Sequence, residues 1–409
     1  MRILLLTPRL PYPPYRGDKL KVFNLIKRLS KENSIHLVSF IEKKRELDYL
    51  PYLSPYCAAI DVVPLPRWQS HWQCLIGLFS RLPLQVHYFR SRRMRRLVDE
   101  ICRRHHFEVI HTHLIRMAPY TAALPHPLKA LDLTDAVSLY LQRFLAREKN
   151  PAMNLLLKIE LERIRRYESV VEQFHTCFVC SEPDREQLKK AAPDADIRII
   201  PNGVDLAYFS SNGAAAYEPN RIVFTGNLTY RPNIDGIFYF VKEIFPLIKK
   251  DVPAAKFYIV GQSPPSQVRA LASEEVIVTG FVEDIKQYYL SSAVAVSPIR
   301  FGAGTLNKIL EPLALGVPVV ATSMGIEGLD LTIGKDILVA DRPHAFARHV
   351  VHLMQKAEFR EKVGKAGMAI VRRLYNWDSI VQSLEKVYNE LADAPGAVVR
   401  RATRLTSVE

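Results

Sequence analysis

With 409 residues, 48% of them hydrophobic and 24% charged, the chain is long enough for two domains of roughly 200 residues, each with its own core. No apolar run reaches the ~18–20 residues that cross a bilayer, and Ile3 to Leu6 is too short a run for a signal-peptide core. A cytoplasmic protein is therefore expected, and five scattered cysteines, an odd number, fit a reducing compartment. Cys177 and Cys180 form a C-x-x-C, but they sit in an apolar run with no second pair, so neither zinc nor redox chemistry is expected there.

The net charge of +14 is concentrated: residues 81–116 hold nine arginines against Asp99, Glu100 and Glu108. Just upstream, Trp68, Trp72, Leu75, Ile76, Leu78 and Phe79 lie between Arg67 and Arg81. This pattern points to an anionic membrane surface met between Trp68 and Arg116, hence a peripheral location on the inner face of the cytoplasmic membrane. Nucleic acid is the rival partner for a basic patch, but no base-stacking or DNA-reading pattern accompanies it, and none is expected to bind. A solvated basic face with tryptophan in the core is the third alternative.

In chain order, residues 2–7 read as a buried parallel strand, 8–18 as a Pro- and Gly-containing loop, and 19–30 as a helix. Strands follow at 35–40 and 60–63, a basic helix at 91–105, and strands at 109–113 and 130–133. One long helical region is expected from Asp135 to about Phe174, then strands at 176–180 and 197–200. A second strand–helix series starts at 222–225, continues with helices at 234–249 and 266–272, and ends with helices at 344–356, 359–374 and 378–391. The alternation predicts α/β architecture: two doubly wound, Rossmann-like domains facing across a cleft. The expected division is 1–204, a linker at 205–219, 220–376, a C-terminal helix at 377–392 packing back on the first domain, and a disordered tail at 393–409.

The chain is organised around residues 300–322, R-F-G-A-G-T-L-N-K-I-L-E-P-L-A-L-G-V-P-V-V-A-T. Gly302 and Gly304 let backbone approach a ligand, free amides at the following helix start favour an anion, and Lys308 adds charge with Glu311 on the same face. Amides and Lys308 suit a diphosphate, and Glu311 suits ribose hydroxyls. An ordinary loop–helix–strand turn fits the same residues. Pro312 requires the helix to begin near Asn307 or to bend.

Four pieces resemble the retaining, GT-B-fold glycosyltransferases of family 4 along nearly the whole chain: residues 199–205 with Phe209, 224–228, 278–282 and 308–320. The fuller pattern resembles the sugar transferases associated with exosortase and exopolysaccharide systems. The resemblance implies a hexosyltransferase using a nucleotide diphosphate sugar, with a glycan or lipid-linked acceptor and no metal or other cofactor. It implies that Glu311 contacts the nucleotide ribose, and that Lys308, Arg231 and the amides of Gly304, Thr305 and Leu306 meet the sugar and diphosphate. Gly226 belongs to the loop carrying Arg231, Gly280 and Val282 border the base, and Gly17 approaches the donor phosphate. His113, with His111 nearby, contacts the transferred sugar. The first glutamate of the family's E-x7-E pair is replaced by Ala303, which leaves sugar selection to other groups. Asp135, with Asp132 nearby, orients the acceptor hydroxyl or takes its proton, or else Thr134 or Asp135 simply caps a helix. Lys308, His113 and Asp135 are the catalytic candidates. A non-catalytic sugar-nucleotide-binding or scaffolding homologue and a sugar-nucleotide epimerase of the same fold are the alternatives.

Overall fold

The computed structural model describes residues 1–126, 128–210 and 217–393. Residues 211–216 of the expected linker and 394–409 of the expected tail lie outside the described residues. The first half runs β1 (Arg2–Thr7), α1 (Gly17–Leu29), β2 (Ser34–Ile41), β3 (Ala59–Pro64), α2 (Arg67–Gly77), α3 (Leu84–Tyr88), α4 (Arg92–Arg104) and β4 (Val109–His113). It continues with β5 (Lys129–Thr134), α5 (Val137–Leu145), α6 (Pro151–Tyr167), β6 (Thr176–Val179), α7 (Glu182–Lys189) and β7 (Ile197–Ile199). The second half begins with β8 (Glu218–Thr225), α8 (Arg231–Tyr239), a π turn at Phe240–Ile244 and α9 (Phe245–Asp251). Then come β9 (Lys256–Val260), α10 (Ser266–Arg269), β10 (Val276–Gly280), α11 (Ile285–Leu290), β11 (Ser292–Ser297), α12 (Asn307–Ala314), β12 (Val319–Ala321) and β13 (Leu338–Val339). α13 (Pro343–Gln355), α14 (Ala357–Leu374) and α15 (Trp377–Asp393) close the described chain.

Both sheets are parallel, with orders β3-β2-β1-β4-β5-β6-β7 and β10-β9-β8-β11-β12-β13. In each, the order reverses between two central strands, β1/β4 and β8/β11, and a crevice opens at their carboxyl ends. The loops after these four strands carry Arg9 to Gly17, His113 to Arg116, Gly226 and Gly302 to Leu306. Continuous apolar runs such as Ile3 to Leu6 on β1 are buried because helices cover both faces. α15 lays Trp377, Ile380, Val381, Leu384 and Tyr388 into the core formed by β1, α1 and β4. Each such side chain contributes roughly 1.5–3 kcal/mol on burial, so α15 is firmly anchored there.

Several expectations are corrected. The long helical region breaks at 146–150, where Asn150 caps α6 through the amides of Ala152 and Met153 and Pro151 occupies the first turn. The helix at 234–249 is interrupted by the π turn, beside Pro246, which has no amide to donate. The 266–272 helix is a single turn. β8 starts at Glu218, inside the expected linker, because Glu218 pairs with Ser292 on β11. Phe209 is buried against β8 and β11 residues, so that side of the connection is packed. The tryptophans of α2 are not core: Trp68 is 73% and Trp72 60% exposed. Among the described residues, no helix is long and apolar enough to cross a membrane.

Candidate active site

The carboxyl edges of the two sheets meet. Tyr15 packs edge-on to Phe281 at 5.0 Å, Phe144 stacks on Phe301 at 5.7 Å, and Arg231 pairs with Glu148 at 3.4 Å.

On the second sheet, Gly226 follows β8 with φ +151°, and a Cβ there would stand 2.8 Å from Asn233 Nδ2 and 3.1 Å from Lys308 Nζ. Only glycine leaves room for the lysine beside it. Lys308 donates to Asn233 Oδ1 and lies 4.4 Å over the Phe224 ring. Burial lowers its pKa to about 7, although Glu311 pulls the other way. Glu311, one turn along α12, accepts from Tyr289 at 2.9 Å, and Tyr289 bonds Thr225 at 2.5 Å. Burial raises the Glu311 pKa to about 7, opposed by the Tyr289 hydrogen bond and Lys308.

α12 begins at Asn307, the first of the two alternatives that Pro312 left, and Pro312 lies within its second turn, where its missing amide leaves one helical bond unmade. Gly304, Thr305 and Leu306 therefore form the loop ahead of the helix, and their amides donate to no protein acceptor among the described residues. Gly304 holds φ +74°, a conformation a side chain rarely adopts. Two residues of the first half hold this loop. Arg143 of α5 donates to the Gly302 carbonyl at 2.8 Å and forks onto Glu327 at 2.6 and 2.8 Å, and Asn202 reaches the Thr305 carbonyl at 3.3 Å. Ala303 lines a small cavity with Arg143, Gly302, Gly304 and Glu327, so the guanidinium stands beside the position where the family's glutamate is missing. Gly280 ends β10 with open space beside its Cα, and Val282 packs partly buried near Tyr289. Arg231, expected at the phosphates, instead contacts Glu148 and the Phe144 ring, 5.1 Å away.

On the first sheet, Gly17 opens α1 with nothing within 4 Å of a would-be Cβ. His111 and His113 point the same way from β4, two residues apart, toward Asp132 on the neighbouring β5. His113 Nδ1 is 3.3 Å from Asp132 Oδ2, and Lys21 of α1 donates to Asp132 Oδ1 at 2.7 Å. All four groups are 1–2% exposed. Lys21 foremost, then His113 and His111, hold Asp132 well below the usual carboxylate range against the opposing effect of burial. His113 Nε2 is buried without a partner. His111, expected at the donor, is a core group: Nδ1 bonds the Tyr388 hydroxyl of α15, and burial lowers its pKa to about 4. The ligand atoms of His111, His113 and Asp132 lie within 4.8 Å of one another, but the Lys21 ammonium already neutralises the carboxylate a cation would need.

Asp135 follows Thr134, whose φ is +67°, and a Cβ on Gly304 would lie 3.5 Å from the Asp135 Cβ. It faces the glycine loop across the cleft. The capping alternative is removed, because α5 starts at Val137 behind Ala136 with no side-chain cap, and Asp184 takes the Ala136 amide at 2.9 Å. Burial, then the charge of Asp184, raises the Asp135 pKa to about 7.

Lys21, Asn233, Tyr289 and Arg143 were not singled out by sequence. Asn233 alone had a local signal, the Arg-Pro-Asn segment after Gly226.

Residues 219–356 match the sequence profile of a family described as Glycosyl transferases group 1. An uncharacterized 44.6 kDa protein in the cps region of Klebsiella pneumoniae is 22% identical over 175 residues, 41% of this chain and 45% of that protein. One of the human phosphatidylinositol N-acetylglucosaminyltransferase subunits is 23% identical over 245 residues, 56% of this chain and 49% of that protein. The chain thus spans about half the length of these curated relatives. Among solved structures, Anabaena Alr3699/HepE in complex with UDP-glucose superposes with a TM-score of 0.65 at 13% identity, covering 95% of this chain and 100% of that one. The chain has the GT-B fold, and its residues 219–356 are similar to the group 1 glycosyl transferases.

Proposed function

We propose that the protein transfers a sugar from a nucleotide diphosphate sugar to a hydroxyl of a glycan or lipid-linked acceptor, with retention, in cell-envelope or exopolysaccharide synthesis. The observation that carries the reading is Lys308 and Glu311, one turn apart and withdrawn from water, beside the unbonded amides of Gly304 to Leu306. HepE is described with UDP-glucose, and the Klebsiella relative belongs to a cps region, which supports donor class and setting.

The acceptor oxygen attacks the anomeric carbon as the bond to the diphosphate breaks, and the electron pair leaves with the diphosphate. Lys308 and the loop amides meet that developing charge without a metal. The acceptor proton passes to the leaving phosphate oxygen or to Asp135, whose pKa near 7 suits a base at neutral pH. His113 Nδ1 faces the carboxylate and donates to it, which leaves Nε2 as an acceptor for a sugar hydroxyl. Arg231 reaches the donor only by releasing Glu148.

The reading includes peripheral attachment to an anionic membrane. Trp68, Trp72, Ile76 and Phe79 are 58–96% exposed, and beside them Arg81, Lys158, Arg163 and Arg166 line a recess of about 410 Å³ together with Glu162, which pairs with Arg166 and leaves the cations in excess. Apolar side chains that insert next to cations that meet headgroups are what such a surface needs.

Hydrolysis of a panel of UDP-, GDP- and ADP-sugars tests the transferase reading. Slow release of sugar from one donor is expected, and none from any donor would favour a scaffold. Co-sedimentation with phosphatidylglycerol vesicles, weakened by Trp72→Ser with Phe79→Ser, tests the membrane reading, and unaltered co-sedimentation contradicts it.

A further inference from the structure

β4 ends at His113, and Leu114 then takes φ +69°, a costly conformation for a branched side chain, before a short 3-10 turn begins. That turn places Arg116 at the cleft edge of the first sheet. Its guanidinium makes no hydrogen bond or salt bridge with any described residue, and its Nε is shielded from water. It lies over the Phe89 ring at 5.4 Å, and Arg9 lies over the same ring at 5.2 Å. Arg9 and Arg16 both turn to Asp18, at 3.2 and 3.4 Å. Glu42, 3.7 Å from Arg9, is held more closely by Arg67 at 2.8 Å. Burial and the neighbouring Arg9 lower the Arg116 pKa to about 10. Arg9 and Arg16 thus share the carboxylate of Asp18, whose charge Arg116 also feels without touching it, while Glu42 is taken up by Arg67 and Asp135 is pushed toward its neutral form.

A half-buried guanidinium whose Nε has left water without finding a partner is unfavourable unless an anion completes it. The surplus of about two positive charges matches a phosphate group, which carries about −1.5 to −2. Its planar fork suits two phosphate oxygens. The donor diphosphate has its own cradle at Lys308, on the other sheet. We infer that Arg116 and Arg9 seat a phosphate group of the acceptor, so that the acceptor is a phosphorylated molecule. The assignment to the acceptor rests on the transferase reading proposed above; the anion seat does not.

The test uses the full chain and two probes. Nucleotide diphosphates are titrated by calorimetry, and inorganic phosphate is then titrated, by phosphorus NMR, into protein saturated with the nucleotide that binds. Arg116→Met should weaken phosphate binding about tenfold or more, the loss of a charge-assisted pair, while nucleotide affinity stays within about twofold. Arg116→Lys should fall between, because it keeps charge but not the fork. Should Arg116→Met fail to fold, Arg9→Met carries the same expectation. Phosphate binding indifferent to both changes overturns the seat. An equal loss for nucleotide and phosphate moves Arg116 to the donor and overturns the acceptor assignment. If the wild type binds no nucleotide, phosphate is titrated alone: the transferase reading then fails, and the acceptor assignment with it, while dependence on Arg116 still supports the seat.

Discussion

Lys21→Met is the sharpest perturbation of the first sheet. Lys21 and Asp132 are each 2% exposed in their side chains and 2.7 Å apart. Removing the ammonium leaves a carboxylate in the core with no full counter-charge, faced by the Thr134 amide at 3.0 Å, His113 at 3.3 Å and His111 at 3.9 Å. Breaking a buried pair from one side costs about 3–5 kcal/mol, against about 0–1 kcal/mol for a surface pair. Asp132 has a depressed pKa, so its contribution to stability is present above the unfolded carboxylate value near 4 and is lost as pH falls through the folded value. In Lys21→Met that depression shrinks, so the variant should lose less stability on acidification than the wild type. The assay is urea unfolding followed by tryptophan fluorescence. Trp377 is 1% exposed in the same core, whereas Trp68 and Trp72 are already in water. The double change Lys21→Met with Asp132→Leu should recover part of the loss, since no charge is then buried alone. A single-variant cost below about 1 kcal/mol, or no recovery in the double variant, refutes the reasoning.

Three further outcomes are expected. Lys308→Ala should lower kcat/KM for sugar release or transfer by the equivalent of about 2–4 kcal/mol, the loss of one preorganised donor to a developing anion; an unchanged rate contradicts its role. With a free pKa of about 7, Lys308 is mostly neutral at pH 8, so binding a diphosphate there should take up a proton. Calorimetry in buffers of different ionisation enthalpy should show that uptake at pH 8 and its fading at pH 6, and buffer-independent heats at pH 8 refute it. Arg143→Ala frees the Gly302 carbonyl and Glu327, so amide exchange in the 302–308 loop should quicken and the donor KM should rise. Glu327→Ala should act in the same direction and non-additively, and simple additivity contradicts a shared clamp.

The strands were legible because buried parallel strands are continuous apolar runs, and the reversal points were legible through the glycines and polar residues that follow them. Lys308 and Glu311 could be paired from one helical turn. The helix break at Asn150-Pro151 had a readable cap that the long apolar periodicity obscured. Lys21 was not legible: among Lys19 and Lys27 it looks like one more solvated cation, and its partner is 111 residues away. His111 and His113 looked alike at a strand end and both keep an unpartnered Nε2; only α15, bringing Tyr388 across 277 residues onto His111 Nδ1, separates the core histidine from the one whose Nδ1 faces Asp132. Arg231, expected in the loop after Gly226, instead opens α8, and its direction is decided by Glu148, on the other sheet's connection.

The central claim is that Lys308, Glu311 and the Gly302 to Leu306 loop hold a nucleotide diphosphate sugar. Native mass spectrometry of the chain with a panel of nucleotide sugars tests it most directly. One donor bound per chain, lost in Lys308→Ala and weakened in Glu311→Ala, is the predicted result. No donor bound, or binding indifferent to both changes, would contradict it.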